Sequence, residues 1–203
     1  NSRIMKAIKK YLYGVLFLTM TLTLFSFDLP TGWFKAGSNP KSYDMGIDKG
    51  VGQDGKNAAT IKSIDEHIDG FGTLMQSCLA DHYLGKRVRM SGLLKSKDVV
   101  EWAGFWLRID QKGSQQSLGF DNMHDGKEDR SMTGTNDWTK CEIVLDVPLN
   151  ASSFGYGALL SGTGQIWFDN IKFEVVDSSV PTTGKETDSM MSNTEPVNLD
   201  FEH

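Results

Sequence analysis

The chain has few of the residues, such as cysteine and histidine, that most often form metal sites or catalytic centres. Among 203 residues there are two cysteines and five prolines, and the four histidines are scattered as His67, His82, His124 and His203. No CxxC or Cys/His spacing occurs, which argues against a zinc site. No G-x-S-x-G elbow, P-loop or G-x-G-x-x-G follows a strand pattern, so the corresponding hydrolase and nucleotide-binding classes find no support.

Cationic surface is also scarce. The net charge is −5 and the pI is about 5.4, whereas binding to a phosphate backbone needs a basic patch. Arg87, Arg89 and Lys95 alternate along one predicted strand, a pattern that is typical of a solvated face. The sequence therefore argues against nucleic acid as a partner.

The two cysteines leave one question open. Cys141 has the inward parity of its predicted strand, which is typical of a small buried hydrophobic residue. A disulfide between Cys78 and Cys141 is the alternative for an exported protein.

Residues 1–27 have the pattern of a targeting segment. Four basic residues precede an uncharged apolar run from Tyr11 to Phe27, namely Arg3, Lys6, Lys9 and Lys10. This pattern predicts a hydrophobic helix that acts as a signal peptide or as an N-terminal membrane anchor. The run is short for a membrane span, and no A-x-A site or lipobox cysteine follows it. We therefore expect a secreted or extracytoplasmic protein that touches a membrane only through this segment.

Residues 28–176 have the pattern of a single β-rich domain. Short alternating apolar and polar runs are separated by turn residues, and 21 glycines serve such turns. No stretch of this region has a sustained helical period. We predict an all-β jelly-roll sandwich of about eight or nine antiparallel strands.

Residues 177–203 differ in composition from this domain. Ser, Thr, Gly, Pro and charged residues dominate up to residue 196, which predicts a flexible, disordered tail. Residues 196–202 become strand-like again. They are either an edge strand that docks on the sandwich or the start of a truncated module.

The predicted strand from Gly104 to Asp110 carries the main candidate ligand-binding face. Its odd positions are apolar and predicted to face the core, whereas its even positions are Trp106, Arg108 and Asp110. A tryptophan beside an arginine on an outer face favours stacking on a flat or sugar-like ligand, with the arginine donating hydrogen bonds. The alternative is that a loop covers Trp106 and that Arg108 pairs with a carboxylate. The candidate set also includes Trp102, Asp121, Asn122 and Trp138.

The last predicted strand contains an unexpected carboxylate. Its apolar parity is formed by Trp167, Ile171, Phe173 and Val175, and Asp169 falls on the same parity. A carboxylate that points into a core must be hydrogen-bonded, paired or bound to a cation. Asp169 is therefore the place to look for an ion.

Several short motifs occur in an order that resembles a known module. They are residues 32–34, 54–56, 72–76, 85–88, 103–110, 120–123, 134–138 and 165–170. Together they are similar to a bacterial galactose-binding-like jelly-roll domain of the carbohydrate-binding-module kind. Such a domain is attached to some AraC-type transcriptional regulators and to surface proteins. The resemblance covers about residues 29–176.

The resemblance implies a non-catalytic module that binds carbohydrate or another cell-envelope ligand. A sensory or protein-interaction domain is the alternative, and a small glycosidase using Glu101, Asp110 or Asp121 is a third reading that requires a closely spaced carboxyl pair. The resemblance also implies a structural calcium, because Asp169 matches a position that holds one in many such sandwiches. The alternative is that Asp169 accepts backbone N–H bonds in a turn.

Overall fold

The computed structural model describes residues 26–114 and 116–185, in which antiparallel strands alternate with tight turns. Nine strands follow one another along the chain, with two single-turn 3-10 helices at Pro40–Ser42 and Asp81–Tyr83. The strands are β1 (Phe34–Gly37), β2 (Tyr43–Asp48), β3 (Ala58–Ser63), β4 (Phe71–Leu79), β5 (Arg87–Asp110), β6 (Ser117–Asp121), β7 (Met132–Asp146), β8 (Ser153–Ser161) and β9 (Gln165–Val176). The predicted all-β sandwich is confirmed.

Strand β5 belongs to both layers of the sandwich. Its N-terminal half pairs with β7 and β9, and its C-terminal half pairs with β8 and β6. The front layer is therefore β1-β4-β8-β5-β6, and the back layer is β2-β3-β9-β5-β7. The sequence pattern predicts two separate strands here. They form one 24-residue strand whose register with β7 shifts between Leu94 and Ala103.

The core lies between the two layers and confirms the alternation predicted for the central strand. Phe105, Leu107 and Ile109 are fully buried, while the residues between them point to the other side of the front layer. Phe105 meets Phe168 of the back layer edge to face, with ring centroids 6.2 Å apart. Each fully buried side chain of this size stabilises the fold by about 1.5–3 kcal/mol.

The predicted alternation of β9 is wrong for its first half. Ile166 and Phe168 are buried, whereas Trp167 and Asp169 are only partly buried and point away from the core. The indole Nε1 of Trp167 donates to Asp48 Oδ2 at 2.8 Å. Asp169 therefore does not point into the core.

A β-bulge explains this error. Leu93 pairs with Asp169, but Ser91 pairs with Lys172, so β9 contains an extra residue at this point. Asn170 takes the left-handed conformation, with φ of 55°, which asparagine tolerates better than most residues. The bulge reverses the parity, and Ile171 and Phe173 beyond it return to the core.

Residues 177–185, here called the strap, continue past the predicted domain boundary and pack on β7. Thr183 N donates to the Val144 carbonyl oxygen at 2.9 Å, and Val144 N donates to Thr183 Oγ1 at 2.9 Å. Arg87 Nη1 donates to the carbonyl oxygens of Ser178 and Val180, at 2.6 Å each. The predicted docking strand at 196–202 and the predicted N-terminal helix lie outside the described residues.

Both cysteines are free thiols. Cys78 is exposed on β4, and Cys141 is buried on β7. Burial raises the pKa of Cys141 to about 11, as expected for a thiol that acts as a small hydrophobic residue. Within residues 26–114 and 116–185, no helix has the length and apolar character needed to cross a bilayer.

The bulge makes a prediction about Asn170. Asn170→Val should lower the free energy of unfolding by about 1–2 kcal/mol, because a β-branched residue fits the left-handed conformation poorly. Asn170→Gly should not destabilise, since glycine adopts positive φ freely. Chemical denaturation measures both, with exposed Lys172→Val as the control on the same strand. Equal stability of the two Asn170 variants would contradict this interpretation of the bulge.

Candidate functional site

The face of the front layer that points away from the core forms a cleft of about 630 Å³. Residues from five elements line it: β1, β4, β8, β5 and the segment that begins in β6. The lining residues are Ala36, Gly37, Phe71, Thr73, Met75, Leu159, Trp102, Trp106, Arg108, Phe120, Asn122 and Asp125. Four of the predicted site residues therefore lie together in this cleft: Trp102, Trp106, Arg108 and Asn122.

The cleft has its depth because β8 presents glycines to this face. Gly155 pairs with Arg108, and Gly157 pairs with Trp106. Because both are glycines, no side chain of β8 projects into the space between β4 and β5 at these two positions. A Cβ on Gly157 would lie 2.3 Å from the Leu74 carbonyl oxygen. The close approach of β4 and β8 therefore requires glycine at this position.

Trp106 forms the floor of the cleft. Its side chain crosses β8, with Cζ3 3.4 Å from the point where a Cβ would lie on Gly155. The indole Nε1 donates to Thr73 Oγ1 on β4 at 2.8 Å, and that hydroxyl donates to the Ala158 carbonyl oxygen. Trp106 is only 7% exposed, so it shapes the cleft and offers a ligand little of its ring face.

Exposed aromatic surface comes from other side chains. Trp102 stacks on His124 with ring centroids 4.5 Å apart and an interplanar angle of 16°. Phe71 and Phe120 line the cleft and are each 37% exposed. Both phenylalanines are absent from the sequence prediction, because a lone aromatic residue on a strand is typical of a core. The parity that Phe120 shares with Asn122 is the signal that points to this face.

Arg108 and Asp110 form an ion pair at one end of the cleft. Arg108 Nε lies 2.9 Å from Asp110 Oδ1 and 3.1 Å from Asp110 Oδ2. This is the pairing considered from the sequence. Arg108 is a lining residue of the cleft, whereas Asp110 is not among the described lining residues and acts on the cleft through this ion pair.

Residues 122–130, here called the cleft loop, close one side. Asn122 Oδ1 accepts hydrogen bonds from the backbone N–H groups of His124 and Asp125, at 3.1 and 2.6 Å. Its Nδ2 donates to Asp125 Oδ2 at 2.9 Å. Asn122 therefore organises the turn that brings Asp125 to the cleft and His124 against Trp102.

Asp121 holds the cleft loop from inside the protein. Its side chain is fully buried, accepts from Met123 N at 2.8 Å and pairs with Arg130 Nη2 at 2.5 Å. The strap secures the same loop, since Lys127 N donates to the Thr183 carbonyl oxygen at 2.9 Å. Asp121 thus lies behind the cleft and positions its wall.

Two predicted site residues lie elsewhere. Trp138 is on β7 in the back layer and is not part of the cleft lining. Asp169 lies beside the loop that joins β2 to β3, and its Oδ1 accepts from Asn170 N at 2.7 Å, which is the turn bond considered from the sequence.

The other carboxylate oxygen of Asp169 belongs to a small cradle of oxygens. A Cβ on Gly52 would lie 3.2 Å from Asp169 Oδ2. The same point is 3.0 Å from the Asn57 carbonyl oxygen and 3.2 Å from the Lys56 carbonyl oxygen. No cluster of three His, Cys, Asp or Glu side chains suited to a metal occurs in the described residues. Oxygen is the ligand type that calcium takes in proteins, and the Lys56 carbonyl oxygen also accepts a hydrogen bond from Gly52 N at 2.8 Å.

Removal of Asp121 tests the support of the cleft loop. Asp121→Ala should lower the free energy of unfolding by about 3 kcal/mol, because Arg130 loses its buried partner. Urea denaturation measures the loss, and the exposed Asp69→Ala is the control, with an expected change within about 0.5 kcal/mol. Equal effects of the two substitutions would refute the positioning role of Asp121.

No family model matches the chain. An uncharacterized HTH-type transcriptional regulator, YbfP of Bacillus subtilis (strain 168), is 44% identical over 172 residues. The match covers 84% of this chain and 56% of the regulator, so the chain spans about half the length of the curated relative it matches. That name specifies no AraC type, so this part of the resemblance stays a prediction.

Solved structures with a similar fold include several carbohydrate-binding modules. The CBM22-1 xylan-binding domain of Xyn10C from Paenibacillus barcinonensis has a TM-score of 0.50 at 14% identity, covering 76% of this chain and 92% of that domain. The CBM22 tandem of the same enzyme has a TM-score of 0.53 at 12% identity, covering 73% and 46% of the two chains. The active domain of tailspike protein 4 from bacteriophage CBA120 gives 0.53 at 10% identity, covering 72% and 20%. The chain therefore has the galactose-binding-like jelly-roll fold that the sequence motifs predict.

Proposed function

We propose that this chain is a non-catalytic module that binds a saccharide in the cleft of the front layer. The observation that carries the proposal is the combination, in one open cleft, of aromatic surface with fixed polar groups. Trp102, Phe71 and Phe120 supply the aromatic surface, and Arg108 and Asp125 supply donors and acceptors. Sugars offer both a C–H face that packs on aromatic rings and hydroxyl groups that hydrogen-bond.

The rigidity of the cleft favours binding. Trp106 is hydrogen-bonded to Thr73, Asn122 is satisfied within its own loop, and Asp121 with Arg130 holds that loop from behind. A ligand would meet side chains that are already in place, so little conformational entropy would be lost on binding. The similar folds of the xylan-binding domains support the same proposal.

The carboxylates of the cleft favour binding over hydrolysis. Glycoside hydrolysis uses two carboxyl groups that flank the scissile bond. Among the described lining residues, Asp125 is the one carboxylate, and it accepts a hydrogen bond from Asn122 Nδ2. Asp110 is committed to Arg108, and Glu101 accepts from Ser161 Oγ at 2.5 Å.

A sensory domain is the second candidate function. The 44% identity with a HTH-type transcriptional regulator favours it, because a ligand-binding module can serve such a protein as its effector domain. Both candidates use the same cleft and differ in what binding controls. For the first candidate we also propose that residues 1–27 direct export or anchoring, which would place the cleft among cell-envelope ligands.

Glycan binding is the test of the first candidate. On a glycan array and in affinity gels, Trp102→Ala should weaken binding by about tenfold or more, since packing of a sugar's C–H face on the indole buries apolar surface at about 25 cal/mol per Å². Trp138→Ala is the matched control, because it removes the same side chain from the back layer and should leave binding unchanged. Retention of a single protein partner and of no glycan would favour a protein-interaction role and contradict saccharide binding.

We further propose that a calcium ion binds at the cradle formed by the carbonyl oxygens of Lys56 and Asn57 and by Asp169 Oδ2, where it would tie the β2–β3 loop to β9. Calcium should raise the melting temperature, because a ligand at about 100 times its Kd stabilises the native state by about 2.7 kcal/mol. Asp169→Asn should abolish that rise, and Asp69→Asn should preserve it. Scanning calorimetry with and without a chelator measures the effect, and an equal response to calcium in both variants would refute the site.

A further inference from the structure

We infer that the cleft selects acidic saccharides, with the carboxylate of a uronic acid residue bound by the guanidinium of Arg108. This inference rests on the proposed function, because it names the ligand class of the same site.

The guanidinium of Arg108 is fixed in orientation but only partly used. Both hydrogen-bonding distances to Asp110 involve Nε, at 2.9 and 3.1 Å. Among the described residues, no protein group pairs with Nη1 or Nη2, and the Arg108 side chain is 49% exposed. Four N–H donors therefore remain, in the planar arrangement that binds a carboxylate through two parallel hydrogen bonds.

The neighbouring strands leave room for a ligand beside this group. Arg108 pairs with Phe120 on β6 and with Gly155 on β8. Gly155 in turn pairs with Ser77 of β4, and the indole of Trp106 lies over Gly155. Phe120 and Arg108 are paired neighbours that both line the cleft, so a sugar ring that packs on Phe120 can extend a substituent to the guanidinium.

The distribution of charge gives this position its selectivity. Arg108 is the one cation among the described lining residues, and Asp125, the one lining anion, belongs to the cleft loop. Asp125 is engaged by Asn122. Thr73 and Asn122 already have hydrogen-bond partners within the protein, so a carboxylate has a single complementary position among the described lining residues, at Arg108. Asp110 neutralises part of the charge of Arg108 and fixes its plane, and the remaining N–H groups can donate to a second carboxylate.

The experiment compares each acidic polysaccharide with its own neutral form. The full chain is titrated with polygalacturonate and with glucuronoxylan, and separately with the methyl ester of each, which keeps the backbone and removes the charge. The acid form should bind about tenfold or more tightly, because hydrogen bonds between ionised groups are about twice as strong as neutral ones. Added salt should weaken binding of the acid form more than that of the ester.

Three variants assign the preference to Arg108. Arg108→Gln should reduce the ratio of acid to ester affinity to about twofold or less, because it removes the charge and the paired donors. Arg108→Lys keeps the charge without the planar donor pair, so an intermediate ratio is expected. Lys112→Gln removes one positive charge outside the cleft lining and should preserve the wild-type ratio.

The outcomes separate this inference from the proposed function. Equal binding of acid and ester by the wild-type chain would overturn the inference and leave saccharide binding in place. An acid preference that persists in Arg108→Gln would overturn the role of Arg108. If no polysaccharide or array glycan is bound in either form, the proposed function fails and the inference fails with it.

Discussion

The constraint on which this structure depends is the sharing of one strand by two layers. β5 runs for 24 residues, and its two halves pair with four different strands. Its side chains alternate, so the same segment that buries Phe105, Leu107 and Ile109 must present Trp106 and Arg108 to the other side. The core and the cleft are therefore two faces of one strand, and a change in its register would disturb both.

The cleft owes its shape as much to small residues and buried supports as to the residues that line it. Gly155 and Gly157 leave the space that the indole of Trp106 covers, and the hydrogen bond to Thr73 fixes that ring across β8. Asp121 and the strap hold the cleft loop from behind. Groups that never face the cleft therefore determine where Asn122 and Asp125 lie, which is a requirement for a binding site that is formed before its ligand arrives.

The comparisons with known proteins give separate information about the fold of this chain and about its sequence relatives. Similarity to solved carbohydrate-binding modules extends to the fold at 12–14% identity. Similarity in sequence points to a HTH-type transcriptional regulator that is longer than this chain. An open cleft on the outer face of the sheet is compatible with both similarities, because a protein's function depends on the residues of its site and not on its fold alone.

Alternation of apolar and polar residues was enough to determine the all-β class, the inward row of Phe105, Leu107 and Ile109, and the placement of Trp106 and Arg108 on the opposite face. It failed at Asp169, because the bulge at Asn170 changes side-chain direction and depends on pairing with β5, a strand far away in sequence. Only the tertiary structure decided that Trp138 lies in the other layer, that Asp121 is buried, and that Phe71 joins Trp102 in one cleft. The physical reason is that side-chain direction is a local property of a strand, whereas a site is built by neighbours that long-range pairing brings together.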